Sequence, residues 1–339
     1  MIIMILIFGF LFGAILQYSK LNKFDTISGM AMLSNFTMAK AIAVAIGFGM
    51  LLVNIEIGLG FASYHIKPLL LGGIIAGGVI FGTGMAILGY CPGTLAISLG
   101  EGSIDAFIGI LGALTGGIVY TILVPSFKWM LGPDFGQIAL KTIVADNNLV
   151  FYSLVLILGT VFIWIAFWLN KIEKAQGYNW LFSGLALAIL TSTIFLTSTT
   201  NRVLGASGFY PYFGDLITGL TENEYYKSIA ASGKWEMFFL TGSFFSGVVI
   251  SLIKKDFRLI LIHSNWKEFK GDSKLKRIVW AFIGGFLLIV GARLAGGCTS
   301  GHIISGGMQL AVSSYLFAII VFGAFLLTGK YFYRVNNQK

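Results

Sequence analysis

Charge is what this chain has least of. Asp, Glu, Lys and Arg make up 11% of its 339 residues, while 57% are hydrophobic. A soluble domain carries about 25% charged residues, and no soluble fold of this size covers so much apolar surface. The solvent for most of the molecule is therefore lipid. Cysteine is nearly absent as well. Two cysteines exclude a disulfide framework and a structural zinc site, and three scattered histidines exclude a histidine-rich metal centre. No resident metal or cofactor is expected. No GxxxxGK[ST] run occurs, so ATP-driven transport is not encoded in this chain. The net charge of +9 would suggest nucleic acid in a soluble protein. In a membrane chain it reflects lysines and arginines on cytoplasmic loops, and no nucleic-acid partner is expected.

Glycine, by contrast, is abundant, at 44 residues against five prolines. It lets transmembrane helices approach closely and permits tight turns at membrane depth. A span needs about 20 apolar residues. Nine stretches qualify, at about 2–19, 37–57, 68–89, 104–124, 148–169, 180–198, 236–253, 277–296 and 311–328. The first has no basic n-region and no small-residue cleavage site before Gln17, so it reads as a retained span and not a signal peptide. Four shorter stretches lie between spans, at about 24–35, 92–100, 203–219 and 299–309, and they are poor in charge. They read as re-entrant half-helices, a backbone form that survives at membrane depth only inside protein or beside a water-filled cavity. The expected fold is an all-α integral membrane protein with about nine transmembrane helices and four short re-entrant helices.

The order of these elements repeats. Setting Cys91 on Cys298 also superposes Gly89 on Gly296, Gly84 on Gly291, Gly78 on Gly285 and Gly77 on Gly284. Four glycines at one offset beside the only two cysteines indicate a duplicated unit. The spacing predicts a first repeat over 1–147, a linking transmembrane helix over 148–171 and a second repeat over 172–339. An odd number of spans separates equivalent elements, which gives an inverted repeat with the substrate path at its interface. The charges orient it. With the N-terminus outside, the cytoplasmic side holds Lys20, Lys23, Lys171, Lys174, the 254–277 loop with eight Lys or Arg, Lys330, Arg334 and Lys339. The outer side holds Lys67, Lys128, Lys141, Arg202, Lys227 and Lys234, with acids such as Asp134, Asp146, Asp215, Glu222 and Glu224. That asymmetry favours an outer N-terminus and a cytoplasmic C-terminus. The basic loop is a topology signal, and Glu56 and Asp105, near span ends, read as interfacial.

The rare polar groups gather in two turns. "GYCPGT" places Cys91 before Pro92, a residue suited to the first position of a helix, with Thr94 following. "LAGGCTSGH" places Cys298, Thr299, Ser300 and His302 around a similar helix start, five residues after Arg293. Helix N-termini inside a membrane bind anions. A thiol adds a weak donor and a soft, polarizable atom, suited to sulfur or selenium. The bland alternatives are buried cysteines packed for their bulk, an arginine that caps carbonyls, and a histidine that fixes the turn; for His302 the last is favoured. Gln17, Asn22 and Asn35 in the first half, and Asn201, Arg202, Ser207 and Tyr210 in the second, are further candidates for the path.

The turns "GYCPGT" and "GARLAGGCTSGH", on a duplicated multi-span chain, resemble the YeeE/YedE family of sulfur-compound transporters over nearly the whole length. The resemblance implies an inner-membrane permease that takes up thiosulfate or a similar sulfur anion. It also implies that Cys91 and Cys298 pass the ion by S–H···S hydrogen bonds and that a cytoplasmic sulfurtransferase consumes it. Members that carry thiosulfate have a third cysteine after the first span, where this chain reads "QYSKLNKFD" and places Asn22. The expected path is therefore Cys91, Cys298, Thr94, Thr299, Ser300, His302, Arg293 and Asn22. Three alternatives stay open: a passive small-anion channel, a membrane sulfurtransferase using a persulfide cysteine, and transport of a selenium compound.

Overall fold

The computed structural model describes residues 1–144, 147–174 and 177–334; Asp146 and Lys339 lie outside them. Among the described residues the regular elements are all helical, joined by loops that touch through isolated bridges. The first half runs α1 (Ile2–Tyr18), α2 (Phe24–Ala31), α3 (Thr37–Gly58), α4 (Leu71–Leu88), α5 (Pro92–Gly100) and α6 (Ile104–Phe127). The short α7 (Leu140–Val144) and the long α8 (Asn148–Glu173) follow. The second half runs α9 (Asn179–Phe195), α10 (Phe209–Thr218), α11 (Glu224–Ile253), α12 (Ser264–Lys270), α13 (Lys274–Leu294), a π-helical segment (Thr299–Gly306) and α14 (Val312–Phe332). Seven segments are long and apolar enough to cross a membrane, among them one that runs through α4 and α5; α1 and α9 are apolar but shorter, at 17 residues each. The protein is an all-α membrane protein.

Most expected elements stand where the hydropathy placed them. The exceptions are informative. Helix α11 starts twelve residues before the expected span, because its first turns are polar, with Glu224, Lys227 and Lys234, and touch α10. Helices α7 and α12 are additional; both are too short to cross a bilayer and carry lysines in their last turns. The second cysteine turn leads into a π-helix, a wide form that occurs chiefly at functional sites.

The aligned glycines show what holds the centre together. Helices α4 and α13 cross so closely that a Cβ on Gly77 would stand 2.6 Å from the Gly291 carbonyl oxygen, and one on Gly84 would stand 2.9 Å from that of Gly284. Without a hydrophobic drive between helices in lipid, such close van der Waals contact is the main attraction. Gly78 admits Ile320 of α14, and Gly285 admits the backbone of α6 at Gly109. Elsewhere α1 packs on α11 as α3 packs on α9, and α6 packs on α13 as α14 packs on α4. Gly89 and Gly296 end α4 and α13 at φ +78° and +74°, a conformation that favours glycine and turns the chain toward each cysteine.

Asp105, expected near the interface, stands at the second position of α6 and is enclosed by protein. It is fully buried and paired with Arg277 of α13, itself fully buried, and with His263 at 3.1 Å. Arg277 also donates to the Leu88 carbonyl at 2.8 Å and lies over the Phe24 and Trp266 rings. It thus satisfies the open C-terminal carbonyls of α4 just before the Cys91 turn. A carboxylate alone could not be sealed there; the arginine makes it possible.

Candidate functional site

Cys91 is the N-cap of α5, with extended backbone, and Pro92 occupies the first helical position. Its side chain is 9% exposed. Thr94 Oγ1 accepts the Cys91 N–H at 2.9 Å and donates to the Cys91 carbonyl at 3.0 Å. The threonine therefore spends its hydroxyl on fixing the turn, as in a capping box.

Cys298 occupies the equivalent N-cap of the π-helical segment and is 1% exposed. Its Sγ lies 3.2 Å from Ser300 Oγ. Thr299 Oγ1 is buried with no partner among the described residues. A sealed hydroxyl without a partner costs about 1–3 kcal/mol, so it stands ready for a group that is not part of the chain. His302 does something else. Its Nε2 bonds the Ala295 carbonyl at 2.9 Å, its Nδ1 pairs with Ser314 Oγ at 3.0 Å, and its ring stacks on Phe317. Both ring nitrogens are taken, and the side chain braces the turn. Both cysteines are free thiols.

The two turns are joined by one stretch of backbone. Leu204 N–H donates to Ser305 Oγ at 3.0 Å in the second turn. Two residues on, Ala206 lies against Gly93 of the first, and the Tyr210 hydroxyl donates to the Pro92 carbonyl at 2.6 Å. Residues 204–210 thus form a common wall.

Two of the expected residues stand apart. Arg293 donates from Nε to the Tyr225 hydroxyl at the start of α11, and no hydrogen bond among the described residues joins it to the Cys298 turn. Asn22 is fully buried beside the far end of α5, where its Nδ2 donates to Glu101 at 2.8 Å and approaches Ser98 Oγ at 3.4 Å. Ser98 is seven residues from the cap, about 10 Å at 1.5 Å per residue. Gln17 and Lys23 also donate to Glu101, at 2.8 and 2.6 Å, and Asn22 Oδ1 is buried without a partner among the described residues. Glu101 opens onto a cavity of about 460 Å³ whose lining mixes bases, Lys20, Lys23 and Arg258, with the acids Asp25 and Asp256. Of the remaining candidates, Asn35 accepts the Thr37 N–H just before α3 and Asn201 accepts from Ser63 in a loop.

Two residues were not singled out from the sequence. Lys67, in the loop between α3 and α4, donates to the Gly296 carbonyl at 2.5 Å and lies 1.9 Å from where a Cβ on Gly297 would stand. Its ammonium therefore sits directly on the Cys298 turn. Burial pushes its pKa down to about 8, against the opposing pull of Cys298 and Glu236. Glu236 of α11 is the other. Its Oε2 accepts the N–H groups of Gly208 and Phe209, at 2.5 and 3.0 Å, at the start of α10. The sequence gives no periodic signal for Lys67. Glu236 was hidden by the late start assigned to its span; with α11 beginning at Glu224, it is an acid well inside a membrane helix, which by itself marks a functional candidate.

Two comparisons with known proteins bear on the family. A family model described as "Sulphur transport" matches residues 23–327. The thiosulfate transporter TsuA of Spirochaeta thermophila is 26% identical over 326 residues, which cover 93% of this chain and 94% of that protein. A multi-pass helical chain matched by that model over both of its cysteine turns belongs to the sulphur transport family, and its role is the transport of a sulfur compound.

Proposed function

We propose that the protein is an inner-membrane permease that imports thiosulfate or a closely related sulfur oxyanion, with its N-terminus outside and its C-terminus in the cytoplasm. The observation that carries this reading is the pair of cysteine N-caps on two short buried segments, joined by residues 204–210. The anion meets Lys67 and the Cys298 turn, passes along the 204–210 wall to Cys91, follows α5 to Asn22 and Glu101, and leaves through the cavity beside Glu101. The glycine crossing of α4 on α13 supports an inverted repeat, since exchanging the halves exchanges its contacts.

The chemistry fits a soft anion. Protonated thiols at helix starts are weak donors to sulfur, while the unpartnered Thr299 hydroxyl and the Lys67 ammonium suit oxygen. Asn22, in place of a third cysteine, can donate to oxygen but cannot offer a thiol. A relative of this chain is named a thiosulfate transporter, and the same substrate class is assigned here. A charge crossing 100 mV is worth about 2.3 kcal/mol, so a dianion entering a negative cell faces roughly twice that. A cytoplasmic sulfurtransferase that consumes the ion would help to draw it in.

A sulfurtransferase activity of the chain itself is disfavoured by His302. A nucleophilic cysteine needs a nearby base, and both nitrogens of the one histidine near Cys298 are engaged. The test is uptake of labelled thiosulfate by cells lacking their own thiosulfate and sulfate importers, with Cys91→Ser and Cys298→Ser at matched expression. Uptake by the native protein that both serines abolish is expected. Uptake that survives both serines would indicate a channel in which sulfur chemistry plays no part, and none by the native protein would exclude thiosulfate.

A further inference from the structure

We infer that Glu236 is a proton-binding site that couples anion movement to proton uptake. The inference rests on the permease reading above and adds its energy source. The start of α10 is one of the membrane-embedded helix N-termini that suit an anion. Here it is already filled from within the chain. Glu236 Oε2 takes the N–H groups of Gly208 and Phe209. Its Oε1 lies 2.3 Å from where a Cβ on Gly205 would stand and accepts no hydrogen bond among the described residues. One oxygen is thus bound to backbone and the other is available to a proton. Glycines at 205 and 208 leave room for the carboxylate to lie against the main chain.

The position matters as much as the group. The N–H groups held by Glu236 belong to the 204–210 stretch that touches both cysteine turns. An ionised carboxylate competes with the passing anion for that stretch, by charge and by occupying its donors. A protonated one does neither: it loses its charge and accepts from N–H groups more weakly. Proton binding therefore favours the anion, and the anion favours proton binding, as linkage requires. Each proton carried inward also cancels one charge of the anion.

The charged and titratable groups around Glu236 are few. Lys67, from the α3–α4 loop, and Arg293, from α13, act on it through space, and none of the ion pairs within 4.0 Å among the described residues includes it. Tyr225 on its own helix, Tyr210 on α10 and Tyr120 on α6 complete the surroundings, Tyr120 through its contact with Tyr225. Asp215 of α10 is turned toward Thr121, with which it shares a 2.8 Å hydrogen bond. Arg293 keeps its proton throughout this range, whereas Lys67, with a pKa of about 8, is a second group that exchanges protons; the Glu236→Gln variant tells the two apart.

Proteoliposomes holding the full chain test this. Labelled thiosulfate uptake and internal acidification, followed with a trapped pH dye, are measured with the membrane potential clamped at zero. The native protein should accumulate thiosulfate when the outside is more acidic, and adding thiosulfate should acidify the interior. Glu236→Gln should abolish both the acidification and the response to the pH gradient, yet retain exchange of labelled for unlabelled thiosulfate. That exchange shows that the variant is folded and that its path is intact. Native uptake indifferent to the pH gradient would overturn the inference while leaving the permease reading in place. So would acidification that persists in Glu236→Gln, or that is lost only in Asp215→Asn. No exchange by the native protein would remove the permease reading and this inference with it.

Discussion

At the scale of single residues, the proposed path divides the groups around the two turns into those that would meet the anion and those that hold the turn in shape. Lys67 belongs to the first kind, and its titration gives it a pH signature. Burial depresses its pKa from 10.5 to about 8, so the ammonium is present below that value and lost above it. Apparent affinity for the anion should fall as external pH rises through about 8. Lys67→Met should weaken it about tenfold or more at neutral pH, since a hydrogen bond to a charged group is worth about 1.5–3 kcal/mol. Lys67→Arg should remove the step near pH 8. Concentration-dependent uptake at a fixed pH gradient measures both. Stability runs the other way. A base whose folded pKa is depressed penalises folding below that pKa, and the penalty is relieved as pH rises from about 8 toward 10.5. His302 belongs to the second kind. Its replacement by Ala strands the Ala295 carbonyl and Ser314 hydroxyl and should cost about 1–3 kcal/mol of stability, read as a lower unfolding temperature in detergent. The cysteines were legible in the sequence because they are rare and flanked by glycine at one offset. Lys67 was not, because its role depends on a loop 229 residues away in sequence folding back over Gly296. Arg293 drew attention as an intramembrane cation, and only packing could show that it faces Tyr225.

At the scale of elements, glycine position decides which helices touch. Gly291→Ala would bring a methyl within 2.3 Å of the Phe81 nitrogen, so α4 and α13 would have to separate. Overpacking of that kind costs about 1–3 kcal/mol, and a loss of monodisperse protein on size exclusion is the expected result. Gly323→Ala is the contrast. Nothing stands within 4 Å of its Cβ position in α14, and the better helix propensity of alanine should leave stability unchanged or raised by about 0.5–1 kcal/mol. Hydropathy located the long helices and the short buried ones, because lipid imposes a length on any helix that crosses it. It failed where a helix continues on polar residues beyond its apolar stretch, as at the start of α11, and where short pieces such as α12 lie beside the bundle. Trp266 of α12 is fully buried against Phe24 and Arg277, a docking that no local pattern announces.

At the scale of the molecule, charge asymmetry and the order of spans fix an expected topology. A reporter fused within the 254–263 loop should be active only in the cytoplasm, and one fused near Glu222 only outside. The opposite pattern would reverse the direction assigned to the path. The crossing of α4 on α13 has a consequence for how such a chain can be assembled. Gly77 meets Gly291 just as Gly284 meets Gly84, so each half presents to the other the surface it receives. That is the property of an isologous contact between two subunits, here enclosed in one polypeptide. The covalent link between α8 and α9 is then dispensable for recognition: two fragments severed there and made in the same cell should find each other through this seam and rebuild both cysteine turns.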